Sequence, residues 1–177
     1  MPSVTQTVAK KHPHQRRARA PRKASAGKRG YKKSALARAM ARGTRKHAAI
    51  ARLVGKTMVP PKTPKYARLA FEVLKGAGLR LKAAEVKYTC RGETGIIDLI
   101  AEGPSGLAIV EVKTIGRKRL AWETLVVKEP QGWFAVNKRR AEAQVRRYGE
   151  RGLYPGAATY VLYVFTDTVA LHSVARK

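Results

Sequence analysis

Two strongly apolar segments joined by a short turn constrain the fold of this chain more than any other feature. The segments 94–102 and 107–115 read TGIIDLIAE and LAIVEVKTI, and a Pro-Ser-Gly tripeptide turns the chain between them. Because the connection is short, the two segments are predicted to pair as antiparallel strands. Three charged residues interrupt this apolar pattern: Asp98, Glu111 and Lys113.

The other elements predicted from the sequence indicate a mixed α/β domain. Their order along the chain is helix, three strands, helix and two strands, which is typical of an α/β sandwich. The segment 116–133 fits either a helical turn or an extra strand, and Asn137 is a candidate cap of the second helix. Outside the hairpin, helices are predicted at 65–78 and 137–152, and strands at 79–90, 158–166 and 169–174.

The overall charge indicates a polyanionic partner. The 177 residues carry 38 Lys and Arg against 11 Asp and Glu, a net charge of +27. Nucleic acid is the simplest partner for such a chain, and an anionic membrane surface is the alternative. No apolar run approaches the ~20 residues needed to span a bilayer, and the N-terminus lacks the apolar core of a secretory signal. We therefore expect a protein that is not secreted and has no membrane partner.

Zinc is not expected in this chain. Cys90 is the only cysteine, so a cysteine-based zinc site and an internal disulfide are both excluded. The four histidines, which include His47, show no ligand spacing on a convincing helix.

The first third of the chain differs sharply from the rest, because residues 1–71 contain no acidic residue. Residues 10–33 combine Lys and Arg with Pro, Gly, Ala and Ser, and are predicted to be disordered when free. Residues 34–54 favour one or two short basic helices, with Ser34 as a cap and Gly43 as a break. Three prolines within 59–65 suggest a linker. The resulting domain boundaries are a basic tail at 1–62 and a folded domain at 63–177.

The tail is predicted to bind nucleic acid non-specifically, because each phosphate it neutralises releases counterions. A nuclear or nucleolar address and an organelle transit peptide are compatible readings of the same composition. A nucleus or a virion core is the favoured location. Basic residues within 116–136 can also bind phosphates. The nearby rings of Trp122, Trp133 and Phe134 either stack on bases or belong to the core. The candidate nucleic-acid-binding residues are Arg16, Arg17, Arg19, Arg22, Lys23, Lys28, Arg29, Lys32, Lys33, Arg117, Lys118 and Arg119.

The three charged residues of the hairpin fit metal-assisted chemistry. Glu111 and Lys113 are two apart and therefore project from the same face of their strand, and antiparallel pairing brings Asp98 beside Glu111. Two packed carboxylates repel each other, and a hard cation such as Mg²⁺ relieves that repulsion. The alternative is a same-face ion pair between Glu111 and Lys113, with Asp98 at a strand end.

The stretch GIIDLIA followed by LAIVEVKT resembles the core of the PD-(D/E)xK nuclease superfamily, in its Holliday-junction-resolvase-like and restriction-endonuclease-like branches. The resemblance covers residues 65–165 and implies an αβββαβ core. It implies that Asp98, Glu111 and the backbone carbonyl of Val112 bind Mg²⁺ or Mn²⁺, and that Lys113 positions or activates the attacking water. Ile97 stands where the superfamily name has a proline.

Three further positions are brought in by the resemblance. Gln144 and Tyr148 lie four apart on one helix face. This spacing is similar to the Q-x-x-x-Y motif of RecB-type relatives, in which the motif helps to orient the active site. The alternative is a polar helix face with a packed Tyr. Glu72 corresponds to an acid on the first helix that completes the metal site in many members. An exposed pair with Arg68 explains Glu72 equally well.

Together these features predict a Mg²⁺-dependent deoxyribonuclease, an endonuclease in preference to an exonuclease, with DNA favoured over RNA. The resemblance also allows a homodimer. The alternative is a non-catalytic DNA-packaging or architectural protein on a nuclease-like fold. A ribosome-associated protein ranks last.

Overall fold

The folded part of the chain is an α/β domain built on one mixed sheet. A computed structural model describes the backbone of residues 26–90, 92–150 and 154–175. The chain divides into two units, 1–36 and 37–177, and the sheet lies in the second. Four helices and five strands occupy the described residues: α1 (Ala26–Ala51), α2 (Lys65–Gly76), β1 (Arg80–Cys90), β2 (Glu93–Gly103), β3 (Gly106–Thr114), α3 (Arg119–Lys128), α4 (Trp133–Glu150), β4 (Ala158–Val164) and β5 (Val169–Ser173).

The sheet has the spatial order β1–β2–β3–β4–β5. Its pairs are antiparallel except β3 with β4, which run parallel and are joined through α3 and α4, as a parallel connection requires. The predicted hairpin is confirmed, because β2 and β3 pair from Gly103 with Gly106 as far as Leu99 with Val110.

Helices cover both faces of the sheet and bury alternate strand residues. On one face, Val110 and Val112 of β3 pack in a cluster with Leu74 of α2 and Ile50 of α1. On the other face, residues of β4 pack with Trp122 of α3 and with α4. Because β-strand side chains alternate, residues 111 and 113 of β3 face the α3–α4 layer rather than α2.

Helix α1 is longer than predicted, and three predictions about it are wrong. It begins at Ala26, so Ser34 is not its cap, and residues 26–33 are helical rather than disordered. It also continues through Gly43, because one glycine costs only about 1 kcal/mol relative to alanine in a sequence rich in strong helix formers. Burial of Ile50 and Leu53 in the core anchors its C-terminal end, so the compact unit begins before the proline-rich linker.

Segment 116–133, which the sequence left open, contains helix α3. The side chain of Asp167, in the turn between β4 and β5, accepts a hydrogen bond from the backbone N–H of Arg119 at 3.0 Å. This bond gives a partner to one of the backbone donors that the first turn of a helix leaves unpaired. Helix α4 begins at Trp133, so the predicted cap at Asn137 is wrong. The Asn137 amide instead donates to the carbonyl of Trp133, one turn earlier.

The helices of the described residues lack the properties of a membrane span. None of them combines the length and the apolar character that crossing a bilayer requires.

Candidate active site

Strand β3 places Glu111 and Lys113 on one face, as predicted. Their neighbours Val110 and Val112 point into the core beneath α2. The Lys113 ammonium lies 2.5 Å from Glu111 Oε1, so the two side chains form a direct ion pair. Glu111 is almost completely buried, whereas Lys113 is about one-third exposed. The pair therefore presents its cationic member toward the solvent.

Asp98 lies where β2 separates from β3. The pairing of these strands ends at Leu99 and Val110, one residue before Asp98 would face Glu111. The Asp98 Oδ2 atom accepts a hydrogen bond from the backbone N–H of Val112 at 2.8 Å. The carboxylate thus satisfies a backbone donor of β3 beside the point of separation, and this bond fixes it next to the Glu111–Lys113 pair.

The backbone of β1 is distorted opposite Asp98. Glu85 has a φ of 52°, in the left-handed region, and it lies between the pairs Ala84 with Leu99 and Val86 with Ile97. The flanking residues Leu99 and Ile97 are two apart, yet they belong to different core clusters: Leu99 packs with α2, and Ile97 packs with Tyr148 of α4. The side of the sheet on which β2 buries these residues therefore changes at Asp98. A non-glycine residue in this region costs on the order of 1–2 kcal/mol. Such strain is found disproportionately at functional sites.

Helix α1 contributes His47, which the sequence reasoning did not assign to the site. Its Nδ1 atom is 3.5 Å from Asp98 Oδ1, a contact that becomes an ion pair when the imidazole is protonated. The sequence around His47 gives only a weak indication that it belongs to the site. His47 precedes the buried Ile50 by one helical turn, which indicates that it lies near the edge of the core, but nothing local links it to a strand some fifty residues later.

The environment of Glu111 disfavours its charged form. Burial raises the pKa of this carboxyl, and the neighbouring charge of Asp98 raises it further, while Lys113 and His47 oppose the shift. The Oε2 atom of Glu111 is buried and has no hydrogen-bond partner among the described residues. A buried carboxylate oxygen without a partner is costly, so this atom fits a position intended for a cation or a donor.

Helix α4 supports the lysine through a short chain of hydrogen bonds. Lys113 Nζ donates to Gln144 Oε1 at 3.2 Å, and Gln144 Nε2 donates to the hydroxyl of Tyr148 at 2.7 Å. The Tyr148 hydroxyl in turn lies 3.3 Å from the carbonyl oxygen of Ile96. Burial is the largest effect raising the pKa of Tyr148, to about 12, so the phenol remains neutral. The i, i+4 contact expected between Gln144 and Tyr148 is present.

The structure does not bring Glu72 into this network. Glu72 is exposed on α2, which packs on the opposite face of the sheet from Glu111. None of the hydrogen bonds or ion pairs found in the described part of the chain joins it to Asp98 or Glu111. Its predicted role as a metal ligand gains no support from this position.

The predicted phosphate-binding residues fall into three groups. Arg16, Arg17, Arg19, Arg22 and Lys23 lie outside the described residues. Lys28, Arg29, Lys32 and Lys33 lie within α1, but their side chains are outside the described set. In the third group, Arg117 lies over the ring of Phe134 at 5.4 Å, Arg119 pairs with Glu123 at 2.7 Å, and Lys118 is exposed.

An open groove lies between α1 and the end of β3, and its lining includes His47 and Lys113, which contact the carboxylates of Asp98 and Glu111. It has a volume of about 800 Å³. Arg42, Lys46 and His47 line it from the helix, and Lys113 lines it from the strand. Basic groups on both walls make this groove suitable for a phosphate backbone.

The metal-binding capacity of these residues rests on few ligands. Within the part of the chain that the structure describes, no group of three or more His, Cys, Asp and Glu side chains is arranged to hold a metal ion. Asp98 and Glu111 are two adjacent carboxylates, and hard divalent cations are also bound by backbone carbonyls and water. A cation held at this position would therefore rely on these two side chains and non-side-chain oxygens.

Comparison with known proteins adds no assignment. The chain matches no protein-family model and no curated protein sequence.

Proposed function

We propose that this chain is a metal-dependent nuclease that hydrolyses phosphodiester bonds in DNA. The observation that carries the proposal is the buried Glu111, which has one oxygen without a partner among the described residues and lies beside a second carboxylate and a lysine. Burying an ionisable group that only destabilises the fold has no structural purpose, whereas a cation and a phosphate would use each of these groups.

The proposal includes a restriction-endonuclease-like core. The elements α2, β1, β2, β3, α4 and β4 follow one another in the order αβββαβ, and α1, α3 and β5 are additions to that core. The acidic and basic residues lie on the adjacent inner strands β2 and β3, and the parallel strand β4 pairs with β3 from Ala108 to Thr114. This order and placement support the assignment.

Asp98 and Glu111 would hold the metal, Mg²⁺ or Mn²⁺, together with the carbonyl of Val112. The unpartnered oxygen of Glu111 and the adjacent Asp98 carboxylate fit a hard cation. When bound, such a cation polarises the phosphate and lowers the pKa of a coordinated water.

The remaining residues would orient the reacting groups and neutralise negative charge on the phosphate. Lys113 reaches from the buried pair into the groove, where its ammonium can hold a water or stabilise charge developing on a phosphate. Gln144 holds that ammonium from the α4 side, and Tyr148 fixes the amide of Gln144. His47 orients the Asp98 carboxylate from α1.

The basic N-terminal segment would retain the DNA. Residues 1–71 contain bases and no acids, and neutralising phosphates with such a segment gives affinity without sequence preference. The groove beside α1 would then guide the strand toward the carboxylates.

The proposal is tested by cleavage of labelled single-stranded, linear duplex and four-way-junction DNA with Mg²⁺ or Mn²⁺. Asp98→Asn and Glu111→Gln keep the side-chain volume and remove the charge. Both are expected to lower the cleavage rate by about 10²–10³-fold or more, the usual effect of removing a group that stabilises the transition state. Their affinity for DNA should be retained.

Glu102→Gln is the matched control, because Glu102 is an exposed glutamate of β2 that pairs with Arg80 and Lys82 away from the groove. It should cleave like the wild type. Equal activity in all three variants, or cleavage that continues without divalent metal, would rule the proposed site out.

A non-catalytic DNA-packaging protein is the second candidate. It is favoured by the closed ion pair between Lys113 and Glu111 and by the absence of a three-ligand metal cluster among the described residues. In that case the wild type would bind DNA tightly and cut none of the substrates.

A further inference from the structure

A second cavity lies between the start of α4 and the end of β3, beside the lysine of the proposed site. Its volume is about 210 Å³. Trp122, Trp133 and Phe134 form its aromatic walls, and basic side chains stand around it. Aromatic walls with nearby cations are the usual features of sites for unpaired bases in nucleic-acid-binding proteins. The basic side chains that line this cavity are Lys113, Lys138 and Arg140.

One hydroxyl group of the cavity lining is buried and has no hydrogen-bond partner within the described residues. It belongs to Tyr163, which packs on the α3–α4 side of the sheet. Burial raises the pKa of Tyr163 above its usual value, so the phenol stays protonated and can both donate and accept. Because leaving such a group unpaired costs about 1–3 kcal/mol, it points to a polar ligand that enters the cavity.

The aromatic rings of the cavity have different roles. Trp122 is buried against Tyr163 and Phe165, so it belongs to the core. Trp133 is 68% exposed and meets Phe134 edge to face at 4.8 Å. An exposed tryptophan contributes little to folding, and its open ring face is available to a flat ligand.

The cavity is continuous with the proposed catalytic residues. Lys113 and Gln144, which are hydrogen-bonded to each other at 3.2 Å, both line it. Lys113 also lines the groove beside α1. A strand that lies in the groove with a phosphate near Asp98 and Glu111 therefore has the adjoining cavity within reach of a neighbouring nucleotide.

We propose that this cavity binds an unpaired nucleobase of the DNA strand that occupies the groove, with the base stacked on Trp133 and its polar edge directed at the hydroxyl of Tyr163. The inference deepens the proposed function and rests on it for the position of the scissile phosphate. It names the substrate class: DNA with a single-stranded nucleotide next to the bond that is cut.

The test measures binding rather than cleavage. The full-length chain is titrated in EDTA with a short oligothymidylate and with an abasic strand of the same length, which keeps every phosphate and lacks the bases. Because phosphate contacts of the basic tail are equal for both strands, any difference reports base recognition. The wild type is expected to bind the oligothymidylate roughly 5- to 150-fold more tightly, the range for stacking of one base.

Trp133→Ala should weaken binding of the oligothymidylate by most of that factor and leave binding of the abasic strand unchanged. Trp133→Phe should restore most of the affinity, because a ring face remains. Tyr163→Phe removes only the hydroxyl and should weaken base-dependent binding by roughly 2- to 10-fold, the effect of one hydrogen bond. Leu120→Ala is the control, an exposed apolar residue of α3 that does not line the cavity; it should bind both strands like the wild type.

The proposal would be overturned if Trp133→Ala lowered the affinity for the oligothymidylate and for the abasic strand equally. It would also be overturned if the wild type bound both strands with equal affinity. The two proposals fail separately. Base-dependent binding without any cleavage would retain the cavity and reject the nuclease. Cleavage with an unchanged KM for single strands in Trp133→Ala would retain the nuclease and reject the cavity.

Discussion

At the residue scale, the site is defined by Glu111, whose burial raises its pKa while the charge of Asp98 adds to the effect. A carboxyl with a raised pKa in the folded state binds more protons there than in the unfolded state. The contribution of Glu111 to stability is therefore expected to be most favourable below the ordinary Glu pKa of 4.5 and to be lost as pH rises from that value through the raised folded-state pKa.

This pH dependence is measured by chemical unfolding of the metal-free protein across that range. Glu111→Gln carries no titrating group and should lose this part of the dependence, and Glu102→Gln should keep it. Identical pH profiles for wild type and Glu111→Gln would show that Glu111 titrates as an ordinary exposed residue, against this account.

The contact of His47 with Asp98 gives a second residue-scale prediction. His47→Ala removes the side chain that orients Asp98, so the Mg²⁺ concentration needed for half-maximal cleavage should rise about 10-fold or more, as for other groups that position metal ligands. His47→Asn keeps an amide donor and should recover most of the loss. A Mg²⁺ titration of the cleavage rate distinguishes the variants. If all three proteins require the same Mg²⁺ concentration, His47 has no positioning role.

Local pattern predicted some residues of the site and missed others. The same-face position of Glu111 and Lys113 follows from strand alternation, and the contact of Gln144 with Tyr148 follows from helical spacing. The contact of His47 with Asp98 depends on how α1 packs against the sheet, which no local pattern encodes. Glu72 was suggested only by the resemblance, and its helix packs on the other face of the sheet.

At the scale of elements, Gly43 shows how α1 differs from its prediction. The helix continues through this glycine, and a Cβ atom added there would meet no atom within 4 Å. Gly43→Ala should therefore raise the free energy of unfolding by about 0.5–1 kcal/mol, because alanine is the better helix former. In a domain of this size the melting temperature should rise by roughly 1–4 °C.

Gly55→Ala provides the matched control for this measurement. Gly55 has equally open surroundings but a φ of 70°, so alanine there should lower stability. A melting temperature that falls in Gly43→Ala would show that α1 is interrupted at this position in solution.

The strands were predicted more accurately than the helix boundaries. The ends of all five strands differ from the prediction by two residues or fewer, because continuous apolar segments bounded by turn residues mark them. Helix α4 begins at Trp133, and α3 begins where Asp167, some forty-eight residues later, supplies a hydrogen bond. Tertiary contacts of this kind set helix ends, and the sequence around the helix does not report them.

At the scale of the whole molecule, the net charge of +27 should dominate affinity for DNA. The logarithm of the binding constant should fall steeply with the logarithm of salt concentration, by about 0.9 for each phosphate contacted on duplex DNA. Replacing Arg16, Arg17, Arg19, Arg22 and Lys23 by Gln should reduce that slope by as much as about 4.5, if each contacts one phosphate.

The slope is measured by fluorescence anisotropy over a series of salt concentrations. The control replaces exposed basic residues of the folded domain that lie away from the groove, such as Arg80 and Lys82, which pair with Glu102. A slope that is unchanged in the tail variant would assign the phosphate contacts to the folded domain instead.

The role of Lys113 in metal-dependent cleavage is tested by single-turnover cleavage of labelled DNA in Mg²⁺ and in EDTA. The wild type, Lys113→Ala and Lys82→Ala are compared, and binding is measured on the same samples. Lys82 is an exposed strand lysine whose partner is Glu102. We expect Mg²⁺-dependent cleavage that is about 10²–10³-fold slower in Lys113→Ala, with unchanged affinity, and wild-type cleavage by Lys82→Ala. Cleavage that persists in EDTA, equal cleavage by both variants, or tight binding with no cleavage by any of the proteins would contradict the account.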